Sequence, residues 1–432
     1  MKHFSYKNVN NKSYSQEGLL MDKGKDERVK QLDDLIKSIY DGLVESKLPE
    51  VLKKKIRGEL EQLKLFTLDA RPARIAIVGR RGAGKSSLIN AIFGEMRAEI
   101  GDVKARTGMG KWHTYESEAG NLEILDTRGL GEADRPEEEF SHATAMEEVQ
   151  ASIREKCPDA ILFLSKAKEV SSRIDEDIKQ LAELRKMIEA EHEYSIPVIG
   201  VVTQVDELSP KSVDKPPFDH EVKQKNIAEA VEVLSVKLEE GVSAPVKVIP
   251  VSSYMEFEGG EIVYDVRWNV DALLDYLIEQ LPNEAQMILA KLSKIKSIQK
   301  KLARRIGKSV AGITGAIGMS PIPGPDIPVI TGLQMAMVTS IGLIGGKRLD
   351  KKGVAEFASA LGVNAAAGLV FRQVARQLLK IIPVAGNVIS GAVATAGTYA
   401  LCEAAIAYFI DESPLENVRN IYKTIFEQRK KE

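Results

Sequence analysis

Residues 73–93 read ARIAIVGRRGAGKSSLINAIF, and the order of residue types in that stretch decides the fold. A short, β-rich apolar run ends in Gly79, and an apolar helical pattern, SSLINAIF, starts at Ser86. Between them Gly79-Arg80-Arg81-Gly82-Ala83-Gly84-Lys85-Ser86 satisfies G-x-x-x-x-G-K-[ST] at every fixed position. A strand before and a helix after are the context that gives this pattern its meaning. Glycines let the backbone wrap around phosphates with N–H groups pointing inward, and the helix N-terminus adds the positive end of its dipole. Lys85 would reach the β- and γ-phosphates, Ser86 would ligate Mg²⁺ through its hydroxyl, and Ser87 completes the phosphate-binding set. The plain alternative, a glycine turn beside a surface lysine, does not account for the flanking strand and helix.

Further runs of the same kind follow at 121–126 (NLEILD), 159–165 (DAILFLS), 196–203 (IPVIGVVT) and 246–252 (VKVIPVS). Charged helical stretches lie between most of them, near 137–156, 173–192 and 220–240. That alternation predicts an α/β domain with a mainly parallel sheet, and WHTYES (112–117) adds an edge strand. Three strand ends carry chemistry. Asp126-Thr127-Arg128-Gly129 places a carboxylate where it can hold Mg²⁺ and a glycine N–H where it can meet a γ-phosphate. Thr203-Gln204-Val205-Asp206 offers a carboxylate that can accept from guanine N1–H and N2–H₂, a donor pair adenine lacks. Ser252-Ser253 would contact guanine O6 through backbone N–H. Taken singly, each of these three is also an ordinary strand-end turn.

Together, in this order, the four motifs over about 70–281 resemble those of translation-factor-class GTPases, the Era-like and ribosome-binding branch in particular. The resemblance implies a Ras-like P-loop fold, bound GTP and Mg²⁺, and slow hydrolysis of GTP. It also implies a switch threonine that closes over Mg²⁺. This falls on Thr107, 21 residues after Ser86 in the Gly-rich stretch RTGMGK, with Thr114 as its competitor. Two departures stand out. Gln204 replaces the family's usual lysine along the base. Leu130, following Gly129, cannot orient water as the glutamine of Ras-type proteins does. Arg80, Arg81 and Arg128 are the cations near the phosphates. Arg81 is the candidate for stabilising transition-state charge, against the alternative that all three are solvated surface residues.

The 432-residue chain suits two or three domains and, at 44% hydrophobic and 28% charged residues, is a folded protein along most of its length. Its net charge of −2 argues against a general nucleic-acid binder. That average conceals a split: residues 283–432 hold 20 Lys+Arg against 10 Asp+Glu, a net of +10. Two cysteines exclude a disulfide framework and fit a reducing, cytoplasmic compartment. The opening MKHFSYKNVNNKSYSQ lacks a signal peptide's apolar core, so secretion by that route is not expected.

Residues 1–26 read as a flexible tail, 27–69 as a helical hairpin, 70–281 as the nucleotide domain and 282–432 as a helical domain. The flanking helices are expected to pack together. Residues 285–308 read as one helix bearing eight Lys/Arg and no acid. Uncharged runs follow at 309–325, 327–346 and 381–402. The prolines of Pro321-Ile322-Pro323-Gly324-Pro325-Asp326-Ile327-Pro328 exclude one straight span through the first. Leu415, Val418, Ile421 and Ile425 mark a closing amphipathic helix.

Two readings stand for this region. One is a bundle in which Gly and Ala permit close helix contact. The other is peripheral or integral attachment to an anionic membrane through 285–346 and 381–410. The stretch 300–405 is similar to an uncharacterised helical domain found after the GTPase domain in some bacterial Era-like proteins. The flanking-helix arrangement is similar to that of interferon-inducible immunity GTPases. A homodimer or nucleotide-dependent oligomer is expected, and nucleic acid is disfavoured as a partner because the basic residues adjoin apolar runs and no RNA-binding module is recognisable. A ribosome- or RNA-linked assembly GTPase is the competing reading.

Overall fold

The computed structural model describes residues 33–34, 36–37, 39–44, 48–97, 111–117, 119–127, 142–172, 174–318, 326–346, 357, 361 and 391–431. The chain divides into two compact units. One is Ala70–Leu302; the other combines Met1–Asp69 with Ala303–Glu432.

The first unit is built on β1 (Ala73–Val78), a central strand buried along nearly its whole length. Continuous burial is what a parallel strand covered on both faces requires, and its sequence is correspondingly apolar. Beside it lie β2 (Trp112–Ser117), β3 (Gly120–Asp126), β4 (Ala160–Lys166), β5 (Val198–Thr203) and β6 (Lys247–Pro250), in the order β2-β3-β1-β4-β5-β6. All neighbours are parallel except β2 with β3. The helices are α1 (Glu50–Thr67), α2 (Lys85–Phe93), α3 (His142–Glu155), α4 (Ile174–His192), α5 (Glu221–Val242), α6 (Val270–Gln280) and α7 (Asn283–Leu292), of which α2 to α7 belong to this unit. This is a Ras-like α/β fold. Strand order reverses at β1, with β3 on one side and β4 on the other, so the crevice at the carboxyl ends of the strands opens there. The six sheet strands expected from the sequence are all present. The hairpin β7 (Met255–Glu258) and β8 (Glu261–Asp265) was not expected. Its signal is the pair Gly259-Gly260 between two alternating runs, a common two-residue hairpin connection.

The basic stretch 285–308 is two helices rather than one. After α7 the chain breaks at Ser293–Ile295, with Lys294 in the left-handed region at φ 53°. Ser293 causes the break locally: its hydroxyl donates to Ala290 O at 2.9 Å and accepts from the Ile295 N–H at 3.3 Å. The next helix, α8 (Lys296–Gly318), contains the boundary between the units.

The second unit includes α1, the later part of α8, α9 (Asp326–Ile344), α10 (Gly391–Phe409) and α11 (Leu415–Arg429). Between Val329 and Ile344 nearly every side chain of α9 is buried, as in a helix surrounded by others. Small residues bring α8 and α10 together. A Cβ on Gly307 would lie 2.1 Å from Cys402 Sγ and 2.9 Å from its Cβ. Between the helices Thr314 and Thr398 share a hydroxyl bond of 2.9 Å, and Gln334 of α9 donates to Thr398 at 2.9 Å. In α11 the buried face is Val418, Tyr422 and Phe426. Leu415 is 48% exposed, which corrects the expected phase by about one position. Among the described residues α10 alone is long and apolar enough to cross a membrane, and 67% of its most apolar stretch is buried within the protein.

Enlarging Gly307 to valine forces α8 and α10 apart. Urea unfolding of Gly307→Val should show a loss of about 1–3 kcal/mol, and an unchanged midpoint would contradict the close crossing.

Candidate functional site

The phosphate-loop residues sit where β1 ends. Gly79 passes beneath β4 so closely that a Cβ would stand 2.6 Å from the Leu164 carbonyl oxygen, which excludes any larger residue. Gly84, at φ 88°, turns the chain into α2. Lys85 donates its ammonium to the Gly79 carbonyl across the loop. Ser86 and Ser87 are half-buried in the first turn of α2. Gly82 and Arg81 are exposed and Ala83 is buried. Arg80, though exposed, is paired: its Nε donates to Asp177 at 2.7 Å. Burial pushes the Asp177 carboxyl above its ordinary value, and the Arg80 guanidinium opposes that shift.

On the other side of β1, Asp126 ends β3 with only 7% of its surface exposed. The next residue fixes it in place, because the buried Thr127 hydroxyl donates to Ile77 O at 2.9 Å. Ser86 and Asp126 supply a hydroxyl and a carboxylate. This donor set suits Mg²⁺, which takes few protein ligands and completes its shell with water and phosphate. Thr107, Arg128, Gly129 and Leu130 lie outside the described residues. Thr114 lies in edge strand β2 and is exposed.

The turn after β5 is tied to the phosphate loop at two points. Thr203, fully buried, donates to Ala83 O at 2.9 Å and also lies 3.3 Å from Ser165 O. Gln204, left-handed at φ 57°, donates its amide to Gly82 O at 2.8 Å. The residue that departs from the family pattern is thus a neutral tether onto the glycine loop. Asp206, half-buried, follows in a 3-10 turn, Val205–Glu207.

The Ser252 N–H is committed to Trp268 O at 3.1 Å, and Trp268 N–H returns a bond of 2.8 Å to Ser252 O. That leaves Ser253 as the member of the pair for a base contact through its N–H. The buried Ser252 hydroxyl has no hydrogen-bond partner.

One residue escaped the sequence reading. Lys223 of α5 is 0% exposed and donates to Asp206 O at 2.6 Å and Leu208 O at 2.8 Å. Its sequence signal is position: with Ile227, Ala230 and Leu234 it shares the helical spacing of the buried face of α5.

Three of the basic residues of α8 are also partnered. Lys301 pairs with Asp275 at 2.8 Å and Glu279 at 2.7 Å. Arg304 grips Glu403 through two bonds of 2.8 and 3.0 Å, and the Arg305 guanidinium lies 5.5 Å from the Phe66 ring centroid.

A glycine loop at a strand-order reversal, a lysine and serine on the following helix and a strand-end aspartate define the P-loop nucleotide-binding class. Residues 74–204 match the 50S ribosome-binding GTPase family, under a third of the chain. Over 151 residues the chain is 30% identical to GTPase Der of Xylella fastidiosa (strain M12), covering 35% of this chain and 28% of that protein. Over 150 residues it is 31% identical to tRNA modification GTPase MnmE of Sulfurimonas denitrificans, covering 32% of each. The chain thus spans less than a third of the length of these curated relatives. Among solved structures, the LeoA bacterial dynamin GTPase from ETEC shares 16% identity, with 82% of this chain and 59% of that one covered at a TM-score of 0.36. Toc33 from Arabidopsis thaliana in complex with Mg²⁺ and GMPPNP shares 15%, covering 59% and 96% at a TM-score of 0.33.

Thr203→Val deletes the hydroxyl that donates to Ala83 O and leaves that carbonyl without this buried bond. Thermal unfolding of the variant should register a loss of about 1–3 kcal/mol. An unshifted transition would mean the tether carries no stability.

Proposed function

We propose that the protein is a guanine-nucleotide switch that binds GTP with Mg²⁺ and hydrolyses it slowly. The observation that carries this reading is the joining of two motifs: the turn bearing Asp206 is hydrogen-bonded to Gly82 and Ala83 of the phosphate loop. One rigid edge then presents phosphate donors and a base-reading carboxylate together. Lys85 and the N–H groups of residues 82–87 would hold phosphate oxygens, and Asp206 would accept from the guanine edge. Mg²⁺, held by Ser86 and Asp126 and by Thr107 on switching, would neutralise phosphate charge. Gly129 would meet the γ-phosphate. Slow turnover follows from Leu130, which has no polar group with which to place water, and Arg81 is the cation we assign to the developing charge.

The output of the switch is binding through the helical unit, to a second copy of the protein or to an anionic membrane face. The basic charge of residues 283–432 and the apolar helix Gly391–Phe409 support this. The ion pairs of Lys301 and Arg304 weaken the membrane arm, because paired cations attract lipid phosphate less. Ribosome or RNA engagement is the second reading, supported by the description of the matched family and by the name of the MnmE relative.

Lys85→Ala should weaken GTP binding by roughly a hundredfold, read by calorimetric titration; unchanged affinity would refute the site. Arg81→Ala should lower turnover at constant GTP affinity, and equal turnover would remove the role assigned to Arg81. Flotation with phosphatidylglycerol vesicles and light scattering, each with GTP analogue or GDP, test the output. Analogue-dependent flotation or self-association supports it. Neither, together with co-sedimentation on 50S subunits, replaces it with the ribosomal reading.

A further inference from the structure

We infer that Lys223 is a positioning residue that sets guanine specificity by holding the turn that carries Asp206. The inference rests on the guanine-nucleotide reading above.

A buried primary amine needs a strong reason to stay. Burial pushes the Lys223 amine below its ordinary pKa, and the charges of Asp206 and then Asp214 oppose that shift. Two of its three N–H donors go to the carbonyls of Asp206 and Leu208, at 2.6 and 2.8 Å. The first carbonyl belongs to the carboxylate-bearing residue itself and the second lies two residues further on. With Thr203 and Gln204 bonded to the phosphate loop in front and Lys223 bonded behind, the six-residue turn is fixed at both ends. Asn226, one turn further along α5, donates to Ser209 O at 2.9 Å and extends the same clasp.

The amine also links the turn to the other expected base contact. Lys223 Nζ stands 5.0 Å from the Phe218 ring centroid. Phe218 packs edge-on against Trp268 at 5.4 Å, and Trp268 is the residue bridged to Ser252. One packed chain of contacts therefore runs from the Asp206 turn to the Ser252-Ser253 loop. A carboxylate that must accept two parallel hydrogen bonds from a planar base depends on its angle as well as its position. Lys223 never needs to touch the nucleotide to control that angle.

The test uses full-length protein and three nucleotides. Inosine triphosphate keeps N1–H but lacks the N2 amine, and adenosine triphosphate lacks both donors. Wild type should prefer GTP over both. In Lys223→Met the preference for GTP over inosine triphosphate should shrink by about ten- to a hundredfold through a higher KM for GTP, with kcat little changed. Lys223→Gln keeps a neutral amide NH₂ as donor on a shorter side chain and should fall between wild type and Lys223→Met; it serves as the readout if the methionine variant does not accumulate folded. A uniform loss across all three nucleotides, or a fall in kcat alone, would overturn the positioning role. So would an unaltered preference. If wild type itself shows no preference for GTP, the guanine reading fails, and that outcome is distinct from failure of the role given to Lys223.

Discussion

The hydrogen bond from the buried Thr203 hydroxyl to Ala83 O, at 2.9 Å, is the constraint on which the site depends. A phosphate loop has little side-chain packing to fix it and relies on what lies beneath it. Here that support is the end of β5 on one side, through Thr203 and Gln204, and the Leu164 backbone on the other. Because Asp206 sits in the turn that directly follows β5, the same contacts that hold the phosphate loop hold that turn. The Asp126 corner is fixed in the same manner, by Thr127 bonded back to β1. Both the phosphate loop and the Asp126 corner are thus tied to a neighbouring strand end by a buried threonine, and these anchors are local to the sheet.

The helical unit follows a different logic. Its core of Ile, Leu, Val and Met side chains is brought together by glycine and alanine at close helix crossings and threaded by a short polar chain through Thr314, Thr398 and Gln334. Long uncharged runs, which in isolation suit a bilayer, are used for protein–protein packing where they are described. In this unit Arg304 of α8 is drawn into a pair with Glu403, while Lys301, in the nucleotide unit, pairs with Asp275 and Glu279. What remains of the basic asymmetry is a field over a folded surface, which steers partners more than it binds them tightly.

The central sheet was legible because its signals are local. The strand ending at Val78, the acid at Asp126 and the threonine at 203 each sit where an apolar run meets turn chemistry, and no distant residue is needed to recognise them. What escaped depends on partners far away in sequence. Lys223 reads as an ordinary helix lysine until its place on the buried face of α5 is compared with Ile227, Ala230 and Leu234. The basic run read as one helix because its periodicity carries over Lys294, while the Ser293 hydroxyl competes for backbone and breaks it. Paired arginines look free in a charge count, because a count holds no information about Glu403. The face of α11 shifted by one position because Tyr422 and Phe426, rather than Ile421 and Ile425, offer the larger area to bury.

The central claim is that one rigid edge of the sheet serves both ends of a guanine nucleotide. Amide hydrogen exchange of the full chain, with and without saturating GDP and Mg²⁺, addresses it directly. The account predicts that residues 79–87 and 203–208 gain protection together, at the same nucleotide concentration, with ADP producing neither. Protection confined to 79–87, or produced equally by ADP, would contradict it.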